Sequence, residues 1–137
     1  MTGERRTRNL VHELGHVIDK TVLVGRYGTY VHPYQFPALR ELKEDKGRLF
    51  GEGDSAVPQT SHGYVSSYAK SNAQEDFAEH FAFYILERER FRTQAEKEQS
   101  GGHPELMAKY RFLETLVDRT RVTAHRLSRG YLERLEE

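Results

Sequence analysis

His12-Glu13-Leu14-Gly15-His16 is the stretch on which the reading of this chain turns. A helix sets residues four apart on one face, so His12 and His16 can both reach a single ion. Glu13 then stands beside them, where it can hold a water molecule. Zinc hydrolases use this His-Glu-x-x-His spacing. Taken alone, the five residues also suit an ordinary amphipathic helix with two surface histidines. Their weight comes from a second stretch, Tyr68 to Phe81, which offers the groups still missing.

Around the motif, Leu10, Val11, Leu14, Val17 and Ile18 recur at helical spacing and predict a helix from about Thr7 to Lys20. On a wheel of 3.6 residues per turn, His12 and His16 fall together, away from that apolar stripe, with Gly15 and Asp19 on one flank. The expectation is therefore a core face and a separate chemical face. Gly15 weakens a helix interior, and its benefit is close approach by another segment.

Further along, Thr21 to Val24 and Thr29 to Val31 flank a glycine-bearing turn, which fits either a short hairpin or an irregular aromatic loop. Phe36-Pro37 opens a short helix to about Lys46, with Leu39 and Leu42 facing inward. Gly51 to Gly63 is polar and turn-rich, a surface loop. The central helix runs from an N-cap at Asn72 to about Gln94. Phe77, Phe81, Tyr84 and Ile85 make its bulky side. Glu75, Glu79, Ala82 and Leu86 make another, and two acids one turn apart call for a cation. Gly101-Gly102 break the chain. A helix from Pro104 to Asp118 follows, with Leu106, Tyr110, Leu113 and Val117 inward, and then a polar helical tail over 120–137. The whole reads as a mainly α, single domain of residues 1–137, with 1–6 a linker and 119–137 a peripheral C-terminal helix.

The 137 residues suffice for a real core. The 21 basic and 21 acidic residues balance, so neither nucleic acid nor an anionic membrane is a general partner. Mean hydropathy is −0.79, and no apolar run approaches spanning length. The chain has no cysteine, so any metal must be held by histidine and carboxylate. Met1 to Arg6 lacks the apolar core of a signal peptide.

A catalytic zinc keeps three protein ligands and one open position. Candidates for the third are Glu75, Glu79, His80, His62 and Asp19. Glu75 is favoured, because it opens a helix whose Ala78 and Ala82 permit close packing beside Gly15. Glu79, one turn on, could accept the outer N–H of His12 or His16 and fix its tautomer, and Asp19 is a second candidate for that task.

The run Tyr68-Ala-Lys-Ser-Asn-Ala-Gln-Glu75-Asp-Phe-Ala-Glu79-His-Phe is similar to the active-site stretch of the anthrax lethal factor-like metallopeptidases, which include the Pro-Pro endopeptidases. The first helix resembles theirs too, with His-Glu-x-Gly-His-x-x-Asp ending on Asp19. The resemblance spans roughly Arg8 to Asp118 and implies a zincin-like catalytic domain with one zinc per chain and a protein or peptide substrate. It implies His12, His16 and Glu75 as ligands, Glu79 as the acid behind them, Glu13 as general base and Tyr68 as the hydroxyl that steadies the oxyanion. Zincins also place a small sheet before the active-site helix, and its edge pairs with substrate. The eleven residues before His12 cannot build it. The fold expected is therefore one lacking that N-terminal sheet, with the chain as the catalytic part of a longer, secreted bacterial protein; a substitute edge from 21–35 is the alternative.

His80 is expected to be structural or exposed. His32, His62, His103 and His125 read as loop or surface residues, with His32 or His62 lining a cleft as the exception. The Arg119, Arg121, Arg126 and Arg129 group reads as a solvated helix face, because no aromatics interleave it. The rival functions are a non-catalytic zincin remnant and a protease toxin domain of a larger effector. Glu13 argues against the remnant, since a structural zinc site has no use for a base.

Overall fold

A computed structural model describes residues 3–20, 26–27, 30–31 and 42–136. Its elements are helix α1 (Gly3–Ile18), a strand pair β1 (Arg26–Tyr27) and β2 (Tyr30–Val31), helix α2 (Leu42–Phe50), a 3-10 turn (Tyr68–Lys70) and helices α3 (Ala73–Leu86), α4 (Arg88–Ser100) and α5 (Glu105–Glu136). The fold is mainly α. Strand pairing does occur between Thr21 and Gln35, as Arg26 against Val31 and Tyr27 against Tyr30: the second strand lies in the expected Thr29–Val31 run, but the first lies in the expected turn after Val24 rather than in Thr21–Val24. The expected start of the second helix, Phe36 to Glu41 with Leu39, lies outside the described residues. That helix extends to Phe50 rather than ending near Lys46.

Helix α3 is the hub. It packs against α1, α2, the 3-10 turn, α4 and α5. Phe77, Ala78, His80, Phe81, Ala82, Phe83 and Tyr84 are all buried on it, and a helix that is apolar almost all round belongs in the middle of a domain. Its inner side meets Phe50, Phe91, Leu106, Phe112, Leu113 and Leu116 in one continuous core. Asn72 caps its N-terminus as expected, its side chain accepting from Glu75 N–H at 2.9 Å.

The expected continuation to Gln94 fails at Glu87, where φ −137° and ψ 49° leave the helical region and separate α3 from α4. Tyr84 and Phe91 fall on opposite sides of this break, and both join the core. Conversely, α5 is a single helix from Glu105 to Glu136, without the interruption expected near Arg119. Gly101-Gly102 do end α4, with Gly102 at φ +90°.

The largest correction concerns α1. Its buried residues are His12, Gly15 and His16, whereas Leu10, Leu14 and Val17 of the supposed core stripe are 71%, 48% and 51% exposed. The chemical face is also the packing face. Gly15 is the reason: a Cβ there would sit 3.1 Å from Ala78 Cα and 3.2 Å from Phe81 Cδ1, so only glycine lets the backbones come this close. Val11 and Ile18, at the edges of that face, touch the core partly buried.

Two buried ion pairs fix the remaining elements. Lys46 Nζ of α2 lies 2.8 Å from Asp19 Oδ1, just past α1. Lys109 of α5 donates to both Asp76 oxygens at 2.9 Å and to Gly63 O at 2.7 Å, and it lies over the Tyr64 ring at 4.1 Å. Burial pushes the Lys109 pKa down, against the opposing pull of Asp76.

Candidate metal centre

Close packing of α1 on α3 brings His12 and His16 over the first turns of α3. Glu75 lies between them. Its Oε2 is 2.8 Å from His12 Nε2, and its Oε1 is 3.3 Å from His16 Nε2. Donors sharing one tetrahedral zinc at about 2.0–2.1 Å stand about 3.3 Å apart. The donor set fits the ion: two imidazoles and a carboxylate, with no cysteine required, at separations of 2.8 and 3.3 Å that lie near this value. His12, Glu13 and His16 also offer ligand atoms within 4.8 Å of one another, so Glu13 competes geometrically for the third position. The difference between the two acids is setting. Glu75 sits mostly covered between the imidazoles, whereas Glu13 is exposed.

Behind His12, Glu79 Oε2 lies 2.9 Å from Nδ1. A carboxylate there draws the ring proton to Nδ1 and leaves the Nε2 lone pair for a metal. Glu79 is held in turn by Ser66, whose hydroxyl donates to its Oε1 at 3.1 Å and accepts from Ala69 N–H at 3.3 Å. His16 Nδ1 is buried and has no hydrogen-bond partner among the described residues.

Tyr68 opens the 3-10 turn, 54% exposed, with its ring 5.6 Å from that of His12. The charge of Glu75 is the main cause of its raised pKa, followed by burial, a hydrogen bond to Glu75 and the charges of Glu79 and Glu13. The hydroxyl thus keeps its proton, as a donor must. Tyr68, His12, Glu13 and Glu79 line one cleft of about 400 Å³ with Arg8 and Asn9.

Other candidates lie elsewhere. Asp19 is buried against Lys46 rather than behind a histidine. His80 is wholly buried, with Nδ1 near Asp76 and Nε2 accepting from Val65 N–H at 3.2 Å. His62 stacks on His103 at 3.6 Å beside a larger cavity that Lys109 also lines. All three ammonium hydrogens of Lys109 can be met by Asp76 and Gly63, and no ligand triad occurs there among the described residues. His32 lies outside the described residues.

Sequence reasoning missed Ser66 and Arg8. Ser66, three residues before Ala69, has the spacing of a serine turn. Arg8 precedes His12 by four residues, and the rule that paired the histidines could have found it.

Residues 3–120 match the family model described as "Putative zinc-binding metallo-peptidase". No curated protein and no solved structure matches the chain. Zinc is accordingly the cofactor of this centre. No described helix is long and apolar enough to cross a membrane.

Proposed function

The chain belongs to this family of zinc-binding metallopeptidases, and from that membership we propose that it is an endopeptidase in which His12, His16 and Glu75 hold the ion and Glu13 moves the protons. The observation that carries the reading is the Glu75 carboxylate, whose two oxygens are shared between two imidazole Nε2 atoms. Glu13, exposed on the cleft side, then has no metal-holding duty and is available as a base. The spacing Tyr68, Glu75, Glu79 supports kinship with the lethal factor-like peptidases as the finer assignment.

When bound, zinc supplies Lewis acidity that eases deprotonation of water and polarises a carbonyl. The Glu13 carboxylate takes a proton from the attacking water as the carbon–oxygen bond forms at the scissile carbonyl. Tyr68 donates its hydroxyl to the oxygen that gains charge. Glu13 then passes the proton to the amide nitrogen as the carbon–nitrogen bond breaks, leaving an amine and a carboxylic acid. Glu79 holds His12 in one orientation throughout, and Ser66 steadies Glu79.

The test is Glu13→Gln. Zinc content by elemental analysis should stay near one per chain and the melting temperature should hold, while peptide cleavage vanishes. Cleavage at the wild-type rate would remove Glu13 from the mechanism. Loss of zinc in this variant would instead make it a ligand.

A further inference from the structure

The cleft at the metal centre does not end at His12. Its lining passes through Asn9 to Arg8, where a second cavity begins along Gly3, Glu4, Thr7, Leu86 and Glu87. Arg8 belongs to both. It stands four residues before His12 on the same helix, so about 6 Å along the axis on the same face. A peptide crossing the metal centre along α1 must pass it.

Two features aim and charge this residue. The guanidinium lies over the Phe83 ring at 4.4 Å, with Nη2 donating to Glu87 Oε2, and these contacts hold it while 40% of the side chain stays exposed. Glu87 does not neutralise it alone, because its other oxygen is 3.3 Å from Arg90 Nη1. Arg90 also lies over Phe83, at 5.9 Å. Two guanidinium groups thus share one carboxylate on one aromatic ring, so Glu87 alone does not balance the pair; the other charged groups lining the two cavities are Glu4, Glu13 and Glu79. Among the described residues, one N–H of the Arg8 guanidinium, on Nη2, is engaged, by Glu87; a guanidinium fork of this kind suits a planar carboxylate. Glu4 lies a turn further on and limits the positive stretch to the neighbourhood of Arg8.

We propose that Arg8 is a specificity residue that binds a carboxylate of the substrate peptide one helical turn from the metal centre. This rests on the peptidase reading above and adds the substrate class to it. The carboxylate has two sources, an acidic side chain or the free C-terminus of the peptide, and both present the same planar anion.

The experiment uses the full chain, zinc-loaded and carrying Glu13→Gln, as a trap for peptides. Four matched synthetic pools are offered: acidic side chains against their amides, and free C-termini against amidated ones. Peptides retained after washing are counted by mass spectrometry. A charge-assisted hydrogen bond predicts about tenfold or greater enrichment of carboxylate over amide, in the first pair for a side chain and in the second for a terminus. Adding Arg8→Gln should abolish it. Adding Glu87→Gln should keep or raise it, because a competing negative charge is gone; if the pair only tethers α1, Glu87→Gln will instead behave like Arg8→Gln. Equal retention of acids and amides, enrichment that survives Arg8→Gln, or no retention at all overturns the proposal. Wild-type protein is then given the retained peptides. Failure to cleave them sinks the peptidase reading while leaving the carboxylate site standing.

Discussion

Glu79 and Tyr68 are both neighbours of His12, and their loss should fail differently. Glu79 acts through His12 Nδ1, although its carboxylate also borders the cleft. Glu79→Gln keeps the shape but removes the charge that orients the ring, so zinc affinity should fall about 10–100-fold by competition with a chelating dye. Activity should return when zinc is raised to saturate the weakened site. Tyr68 lines the same cleft, and at 54% exposure it contributes little to the fold. Tyr68→Phe should lower kcat/KM by about 10²–10³-fold, the scale of one lost oxyanion donor. Its zinc affinity should match wild type, and its stability should lie within about 0.5 kcal/mol. A Tyr68→Phe enzyme of normal rate would return this residue to the role of a packing tyrosine.

At the scale of elements, the decisive contact is the approach of α1 to α3. Gly15→Ala sets two effects against each other. Alanine favours an exposed helix interior by about 1 kcal/mol, but here the new methyl meets Ala78 Cα at 3.1 Å, backbone that cannot swing aside. Overpacking of this kind costs about 1–3 kcal/mol. The variant should therefore melt lower, and because Glu75 opens the helix being pushed away, it should also bind zinc more weakly. Unchanged affinity would show that the two helices can separate without parting His16 from Glu75. The same contact explains what the sequence could and could not disclose. Gly15, Ala78 and the cap at Asn72 were legible, since each has a local reason for its residue type. The orientation of α1 was not: apolar periodicity pointed to Leu10, Leu14 and Val17, whereas small residues and ligands decided the packing. The break at Glu87 carries no proline or glycine to announce it, and it follows from where Tyr84 and Phe91 must go. The unbroken α5 was hidden by the polar Arg119-Thr120-Arg121 run, which resembles a boundary in sequence. Of the candidate site, the pairs His12/His16 and Glu75/Glu79 were legible because helical spacing fixes each, and Gly15 with Ala78 pointed to their approach. Lys46 and Lys109 were not, because their pairings with acids 27 and 33 residues away belong to no helical spacing or motif.

Across the whole molecule, α1 is fastened differently from the other helices. Helices α2, α3, α4 and α5 share one apolar core, while α1 packs as an element on α3 alone among the described residues. Its buried face consists of two imidazoles and a glycine rather than large apolar groups. Without a cation, that face sets His12 and His16 against the paired acids Glu75 and Glu79. A zinc ion drawing ligands from both helices is then a fastener as well as a cofactor. Free zinc at a thousandfold excess over Kd stabilises the folded state by about 4 kcal/mol, which for a domain of this size is on the order of 10 °C in melting temperature. Chelation should lower the melting temperature by that amount, and hydrogen exchange should show where the loss falls. Amides of α1 should exchange faster in the metal-free protein, while those of α3 and α5 around Phe77 and Leu113 keep most of their protection. That pattern follows because Phe50, Phe91 and Leu106, which bury the core, belong to helices other than α1. If exchange rises equally in α3 and α5, the core depends on the metal as much as the first helix does, and the division of labour argued from the packing is wrong.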